Sequence, residues 1–191
     1  MRKIVMSLSV SLDGFFEGPD HEIDWHLVDD ELHTHMNEYL AEMSVFIHGR
    51  VTYELMAAVW PTVESNPDFA GDAAMVEFGP IWRDMPKIVY SRTLEHADWN
   101  STVKREVDPD ELRALQQEPG GDMVIGGPDL AATFRRHDLI DEYRLYVHPV
   151  LIGRGRRPFA DTDESTDLRL VESRTFGNGV VLLRHERVRT N

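Results

Sequence analysis

Apolar and polar positions alternate from the start of the chain: Ile4, Met6, Leu8, Val10 and Leu12 are apolar, with Ser7, Ser9 and Ser11 between them. Period-two alternation predicts a strand over 2–12, and no apolar run approaches the roughly 20 residues that a membrane span needs. Asp13-Gly14 is a turn signal, and a loop rich in Gly, Pro and Asp runs from there to about Trp25. Val28, Leu32, Met36, Tyr39, Leu40 and Met43 then recur at helical spacing, which predicts a helix over 28–43. Ser44–His48 is a short buried-strand candidate, and Gly49-Arg50 leads into a helix at 51–58. Residues 60–72, with Pro61, an Asn66-Pro67 step and Gly71, read as a long loop.

The second half continues the pattern. A helical stretch at 73–79 precedes strands at Lys87–Tyr90 and 102–107. Asp108-Pro109 opens a helix to Gln117, with proline placed where its missing N–H does no harm. Met123–Ile125 is a strand, Gly126-Gly127-Pro128 turns into a helix over 129–137, and Glu142–His148 is the next strand. A Gly/Arg loop at 153–157 and a polar stretch at 160–167 follow. The end is a hairpin, Leu168–Thr175 and Val180–Val188, joined through Phe176-Gly177-Asn178-Gly179. Alternating strands and helices followed by late strands predict an α/β fold. Its mostly parallel central sheet carries helices on both faces and a C-terminal antiparallel hairpin. One domain over 1–191 is expected from the length.

Composition narrows the function classes. There is no cysteine, which excludes disulfides, thiolate metal sites and cysteine nucleophiles. The formal net charge of −14 disfavours nucleic acid and anionic membrane surfaces as partners. Any site for an anion must then be a local basic or dipolar island. No targeting pattern is visible, so a cytoplasmic protein is expected. The nine histidines do not form a recognisable ligand set: His33 and His35 point to opposite sides of a helix, and His21 and His26 have no partner at a known spacing. No metal site is expected.

In a parallel α/β sheet, ligands bind beyond the carboxyl ends of the strands, where loops feed helix N-termini. Three junctions there carry suitable residues. His48-Gly49-Arg50-Val51-Thr52 offers close backbone approach and a guanidinium fork for phosphate. Ser91-Arg92-Thr93 offers two hydroxyls and a second guanidinium. Gly126-Gly127-Pro128-Asp129-Leu130 places two glycines before a helix whose N–H groups can face a pyrophosphate. Each is also ordinary structural punctuation, and the Rossmann G-x-G-x-x-G is absent. Their shared position at one sheet edge is what points to a dinucleotide.

These segments, with Val10-Ser11-Leu12-Asp13-Gly14-Phe15, Pro86 to Leu94, Leu139 to Arg144 and His148 to Gly155, occur in an order that resembles the dihydrofolate reductase superfamily. The last two look like the branch containing the C-terminal reductase domain of the bacterial riboflavin-biosynthesis deaminase/reductase. The resemblance implies a dihydrofolate-reductase-like three-layer fold, NADPH as cofactor, a small-molecule substrate and a homodimer. It places Gly49, Arg50, Val51 and Thr52 at the cofactor phosphates, and Ser91, Arg92 and Thr93 at the adenosine and 2′-phosphate. Gly126, Gly127, Pro128, Asp129 and Leu130 fall under the pyrophosphate and nicotinamide, and Val10, Asp13 and Gly14 beside the nicotinamide. The substrate would be pterin-like or a ribosylaminouracil phosphate. A deaminase domain is not expected within these residues, because the zinc-ligand cysteines it needs are missing.

Hydride chemistry asks the protein for orientation, exclusion of water and one proton source. The family's first-helix carboxylate falls by count at Asp30, whereas helix periodicity favours Asp29, with His33 one turn later as a partner. Both aspartates also suit the positive N-terminus of their helix without any catalytic role. Arg154–Arg157 is either a clamp for a substrate phosphate, a solvated loop or a subunit contact. A second class of function stays open as well: a non-catalytic NADPH-binding or scaffold protein on the same fold.

Overall fold

In the computed structural model, which describes residues 1–69, 71–159 and 165–189, the opening alternation forms strand β1 (Ile4–Ser11). Helix α1 (Asp30–Ala41), strand β2 (Val45–Gly49), helix α2 (Arg50–Ala57), helix α3 (Ala73–Asp84), and strands β3 (Lys87–Tyr90) and β4 (Ser101–Lys104) follow. Helix α4 (Pro109–Gln117), strand β5 (Met123–Gly126), helix α5 (Pro128–Arg136), and strands β6 (Glu142–His148), β7 (Leu168–Thr175) and β8 (Val181–Arg187) complete the chain. Residues 160–164 of the expected polar stretch lie outside the described residues.

All eight strands form one sheet in the order β4-β3-β2-β5-β1-β6-β8-β7. The first six in that order pair in parallel, and β8 runs antiparallel to both β6 and β7. This is the dihydrofolate-reductase-like arrangement, a parallel sheet closed by a C-terminal antiparallel pair.

Both sheet faces are covered, which is why central strands such as Val45-Phe46-Ile47 are buried throughout. On one face Leu112 of α4 and Ala131 and Phe134 of α5 pack on Ile4, Met6, Ile47 and Ile125. On the other, Tyr39, Tyr53, Phe78 and Trp82 from α1, α2 and α3 pack on Val5, Phe46, Val89 and Val124. A third cluster, Leu32, Tyr146, Phe176, Val180 and Leu182, seats α1 on the hairpin.

Four elements differ from expectation; the simplest is strand β4, which stops at Lys104 rather than 107. Helix α1 begins at Asp30 rather than 28, because Asp29 caps it and Leu27 and Val28 stay exposed. Helix α3 continues through Pro80 to Asp84. The missing N–H of Pro80 is outweighed by burial of Phe78 and the fully buried Trp82 on the same side. The expected loop at 60–72 contains two tight helical turns, Trp60–Ser65 and Pro67–Phe69.

Candidate active site

The parallel registers bring the carboxyl ends of the strands to one edge. Ser11 pairs with His148, His48 with Gly126, and Gly49 with Tyr90. The three junctions singled out from sequence therefore share that edge, together with the segment that follows β1.

The helices that start near this edge do not begin alike. Aspartate carboxylates cap α1, α3 and α4: Asp29 accepts from Leu32 N–H at 3.0 Å, Asp72 from Met75 N–H at 2.9 Å, and Asp108 from Asp110 and Glu111 N–H at 2.9 and 3.2 Å. Helices α2 and α5 instead begin at Gly49 and Gly127, with no side-chain cap. The first-turn N–H groups of both have no partner within their own helix. Together with the helix dipole they form a site for negative charge.

These two uncapped ends lie side by side. Gly127 has φ +89°, and a Cβ on it would stand 2.6 Å from Thr52 Oγ1; a Cβ on Gly126 would contact Thr52 Cγ2 at 3.9 Å, and one on Gly49 would contact Leu130 at 3.9 Å. Thus Gly49, Thr52, Gly126, Gly127 and Leu130 come together in one cradle. Arg50 and Val51 are exposed on its outer side, and Arg50 makes a surface pair with Glu54 at 2.8 Å. Such an exposed pair is weak, so it does little to hold the guanidinium in place. Pro128 supplies no N–H, so the donors of α5 are those of Asp129 and Leu130.

The third junction divides into a shaping residue and two exposed ones. Ser91 is buried, and its Oγ accepts from Thr93 N–H at 3.2 Å and Leu94 N–H at 2.8 Å. Arg105 clasps the same turn by donating to the carbonyls of Ser91 and Leu94 at 3.1 and 2.7 Å. Arg92 and Thr93 face outward beside it.

Val10 is buried at the end of β1. Asp13 accepts from Ser11 Oγ at 2.7 Å and from Gly153 and Ile152 N–H at 2.7 and 3.3 Å. The Ser11 hydroxyl and then the backbone amides hold its carboxyl below the usual carboxylate range. Gly14 turns the chain at φ +85°. Arg156 donates to Glu17 at 2.7 Å and to Asp129 at 2.8 Å, joining the segment after β1, the 153–157 loop and the start of α5. Arg157 lies over the Phe15 ring at 4.7 Å. Two of the clustered arginines are therefore engaged within the protein. A cleft of about 320 Å³ opens beside them, lined by Pro128, Asp129, Ala132, Arg156, Arg157, Pro158 and Phe159.

The two candidate proton donors sit at the mouth of α1. Asp29 lies just before the helix, not on its inward flank, and Asp30 is its first residue; both are exposed. The inward positions of α1 are Leu32, Asn37 and Tyr39. His33 is half-buried and meets Trp60 edge-on at 6.3 Å, away from Asp29 Oδ1, which is committed to Leu32. Among the described residues, no group of three or more His, Asp or Glu is placed to hold a metal ion.

Three features were not apparent in the sequence. Arg105 lies beyond a short strand with no motif around it. The Glu17–Arg156–Asp129 junction joins residues far apart in the chain, and only their charges hint at it. The third is histidine burial. His48 has both ring nitrogens buried without hydrogen-bond partners among the described residues, and desolvation, followed by the nearby Lys87 charge, pushes it down to about 3. His148 is fully buried and stacked with His26.

Comparison with known proteins agrees with this geometry. A sequence model of the RibD C-terminal domain matches residues 2–182. The uncharacterized protein YyaP of Bacillus subtilis (strain 168) is 33% identical over 181 residues, which cover 94% of this chain and 92% of that protein. A solved putative riboflavin biosynthesis protein from Shewanella sp. PV-4 superposes with a TM-score of 0.73 at 20% identity, over 99% of this chain and 100% of that one. A Thermotoga maritima diaminohydroxyphosphoribosylaminopyrimidine deaminase/5-amino-6-(5-phosphoribosylamino)uracil reductase superposes with a TM-score of 0.66 at 16% identity. The match covers 98% of this chain and 57% of the Thermotoga protein, so the chain spans a little over half of that bifunctional enzyme. With the sheet order, the cradle and the family match in agreement, the chain belongs to the RibD C-terminal domain family.

Proposed function

We propose that this protein is an NADPH-dependent reductase of a small heterocycle, pterin-like or of the ribosylaminouracil-phosphate kind. The observation that carries the reading is the contrast in helix capping. Three helices are closed by aspartates, while the two that meet at the sheet edge begin at glycine and leave their N–H groups to an external anion. The residues present fit a dinucleotide phosphate there: Gly127 gives the backbone room that a Cβ would fill, and Thr52 stands beside it.

NADPH, when bound, supplies the hydride. In this reading Gly49, Arg50, Val51 and Thr52 hold one side of its phosphates and Gly126, Gly127, Asp129 and Leu130 the other, with Pro128 fixing the start of α5. Ser91 shapes the turn that presents Arg92 and Thr93 to the 2′-phosphate. Val10, Asp13 and Gly14 flank the nicotinamide, and Asp29 or Asp30 delivers the proton at the mouth of α1. Riboflavin-biosynthesis reductases among the structural neighbours support this class of chemistry.

One observation favours a second reading, a non-catalytic NADPH-binding protein: Asp29 is already committed as a helix cap. Calorimetric titration with NADPH, and with NADH beside it, tests the cradle. Loss of nicotinamide absorbance against candidate heterocycles then separates the two readings. Tight NADPH binding with weaker NADH binding is expected, and no binding of either dinucleotide overturns both.

A further inference from the structure

The segment 12–28 after β1 carries no helix and only one bridged residue, Glu17, which pairs with Arg156. It is held along the sheet edge by contacts at both ends and in the middle, among them Leu12 N–H on the Val150 carbonyl and Phe16 N–H on the Arg156 carbonyl, both at 2.9 Å. Asp13 takes the N–H groups of Ile152 and Gly153, Glu17 meets Arg156, and at the far end Leu27 N–H donates to His148 Nδ1 at 3.0 Å. The Leu27 carbonyl accepts from Asn178 Nδ2 at 3.0 Å.

The Leu27–His148 tie differs from the others because its acceptor is an imidazole lone pair. A ring nitrogen accepts only while it carries no proton, so a neutral His148 bears its hydrogen on Nε2. That Nε2 is buried without a partner among the described residues, and so is Nε2 of His26. The two rings stack with centroids 5.0 Å apart and planes at 17°. Trp25 meets His26 and His148 edge-on at 4.3 and 5.6 Å.

Three carboxylates on the surrounding elements are engaged elsewhere. Asp13 at the end of β1 is held by Ser11 and the 152–153 amides, and Asp29 caps α1. Glu31 takes Gly177 N–H and Arg174, the cation on the adjoining hairpin. Neither imidazole therefore has a counter-ion among these groups.

We propose that His148 is a positioning residue that works as a proton-operated latch on the 12–28 segment. Neutral, its Nδ1 docks Leu27 and keeps that end of the segment against the sheet edge; protonated, it turns an N–H toward the Leu27 N–H and the Leu27 end loosens, while Asp13 and Glu17 still hold the rest. The added proton converts the acceptor into a donor and sets a cation against the face of His26. Burial holds His148 below its ordinary value and His26 at about 4, so the latch is shut at neutral pH and opens in acid. Release would loosen one end of the same segment that reaches the start of α5 through Glu17, Arg156 and Asp129. The inference rests on how the segment is anchored and does not require the reductase reading.

Long-range ¹H–¹⁵N spectra of the histidine rings of the full chain, taken from about pH 7.5 to about pH 4.5, would be read beside hydrogen exchange of the Leu27 amide. The expected result is an Nε2-protonated His148 at the upper end. Leu27 protection, corrected for intrinsic exchange, should fall about tenfold in step with the His148 titration, the factor for loss of one ordinary hydrogen bond. Amides of β5 at the sheet centre, exposed only by global unfolding, serve as the internal control. His148→Asn keeps an acceptor near the Nδ1 position that cannot be protonated, and should hold Leu27 protected throughout. His148→Phe keeps bulk without the acceptor and should leave it unprotected throughout. An Nδ1-protonated His148 at neutral pH, Leu27 protection indifferent to the titration, or wild-type pH dependence in His148→Asn would each overturn the latch. If a variant does not fold, the wild-type tautomer and exchange data still decide.

Discussion

Gly127→Ala probes the cradle most directly. The native residue has φ +89° and ψ 124°, a combination that costs a residue with a Cβ of order 1–3 kcal/mol. The new methyl would also stand 2.6 Å from Thr52 Oγ1, a distance that real Cβ atoms do not tolerate. Thr52 lies in the first turn of α2, so relief requires the two helix ends to part or the threonine to turn, adding roughly 1–3 kcal/mol of overpacking. A total loss of about 2–6 kcal/mol is expected in urea unfolding, with a lower midpoint and an unchanged slope. The substitution Thr52→Ala removes the clashing oxygen but not the backbone strain. The Gly127→Ala/Thr52→Ala pair should therefore recover part of the loss, a coupling of roughly 0.5–3 kcal/mol in a double-mutant cycle. If Gly127→Ala were as stable as the parent, or the two changes were simply additive, the close apposition of the α2 and α5 ends would be refuted.

Arg50→Ala should weaken NADPH binding by about 1–3 kcal/mol in calorimetry and leave stability nearly unchanged, since the pair with Glu54 is exposed. An unaltered dissociation constant would remove Arg50 from the phosphate site. Asp29→Ala should cost about 1 kcal/mol of stability through loss of the α1 cap. Asp30→Asn should cost far less in the same unfolding assay, and equal losses would contradict the cap assignment. Acid should destabilise the fold through His48, whose folded-state value of about 3 lies below its ordinary 6.5. The unfolded chain therefore takes up the proton first. This contribution is complete above pH 6.5 and is lost as pH falls toward 3, at up to about 1.4 kcal/mol per pH unit. Urea midpoints across that range should fall less steeply for His48→Leu, and parallel curves would show that His48 does not titrate this way.

The sheet was legible because its signals are local. Strand β1 follows from alternation, and the carboxyl-edge junctions follow from glycines and turns placed after short apolar runs. The limits of α1 and α3 depended on competition between local rules and packing. Asp29 could serve as a cap or as a helical residue, and only its bond to Leu32 N–H decides between them. Pro80 ordinarily ends a helix, yet burial of Trp82 carries α3 past it. At the site, the clustering of Gly49, Thr52, Gly126 and Gly127 was readable from motif order. What was not readable came from contacts between distant residues: Arg156 with Glu17 and Asp129, Arg105 on the Ser91 turn, and His26 on His148. Sequence spacing carries no information about pairs separated by a sheet crossing.

The two glycine-started helices have a consequence for association rates. They offer short-range attraction for an anion on a chain whose net charge is −14. An approaching polyanion is repelled at long range and held only on contact. Added salt shortens the reach of the repulsion to about 10 Å at 0.1 M and hardly weakens N–H groups already touching the ligand. Moderate ionic strength should therefore speed capture of a polyanion at this edge, the reverse of the salt dependence of proteins that draw polyanions in through a positive field.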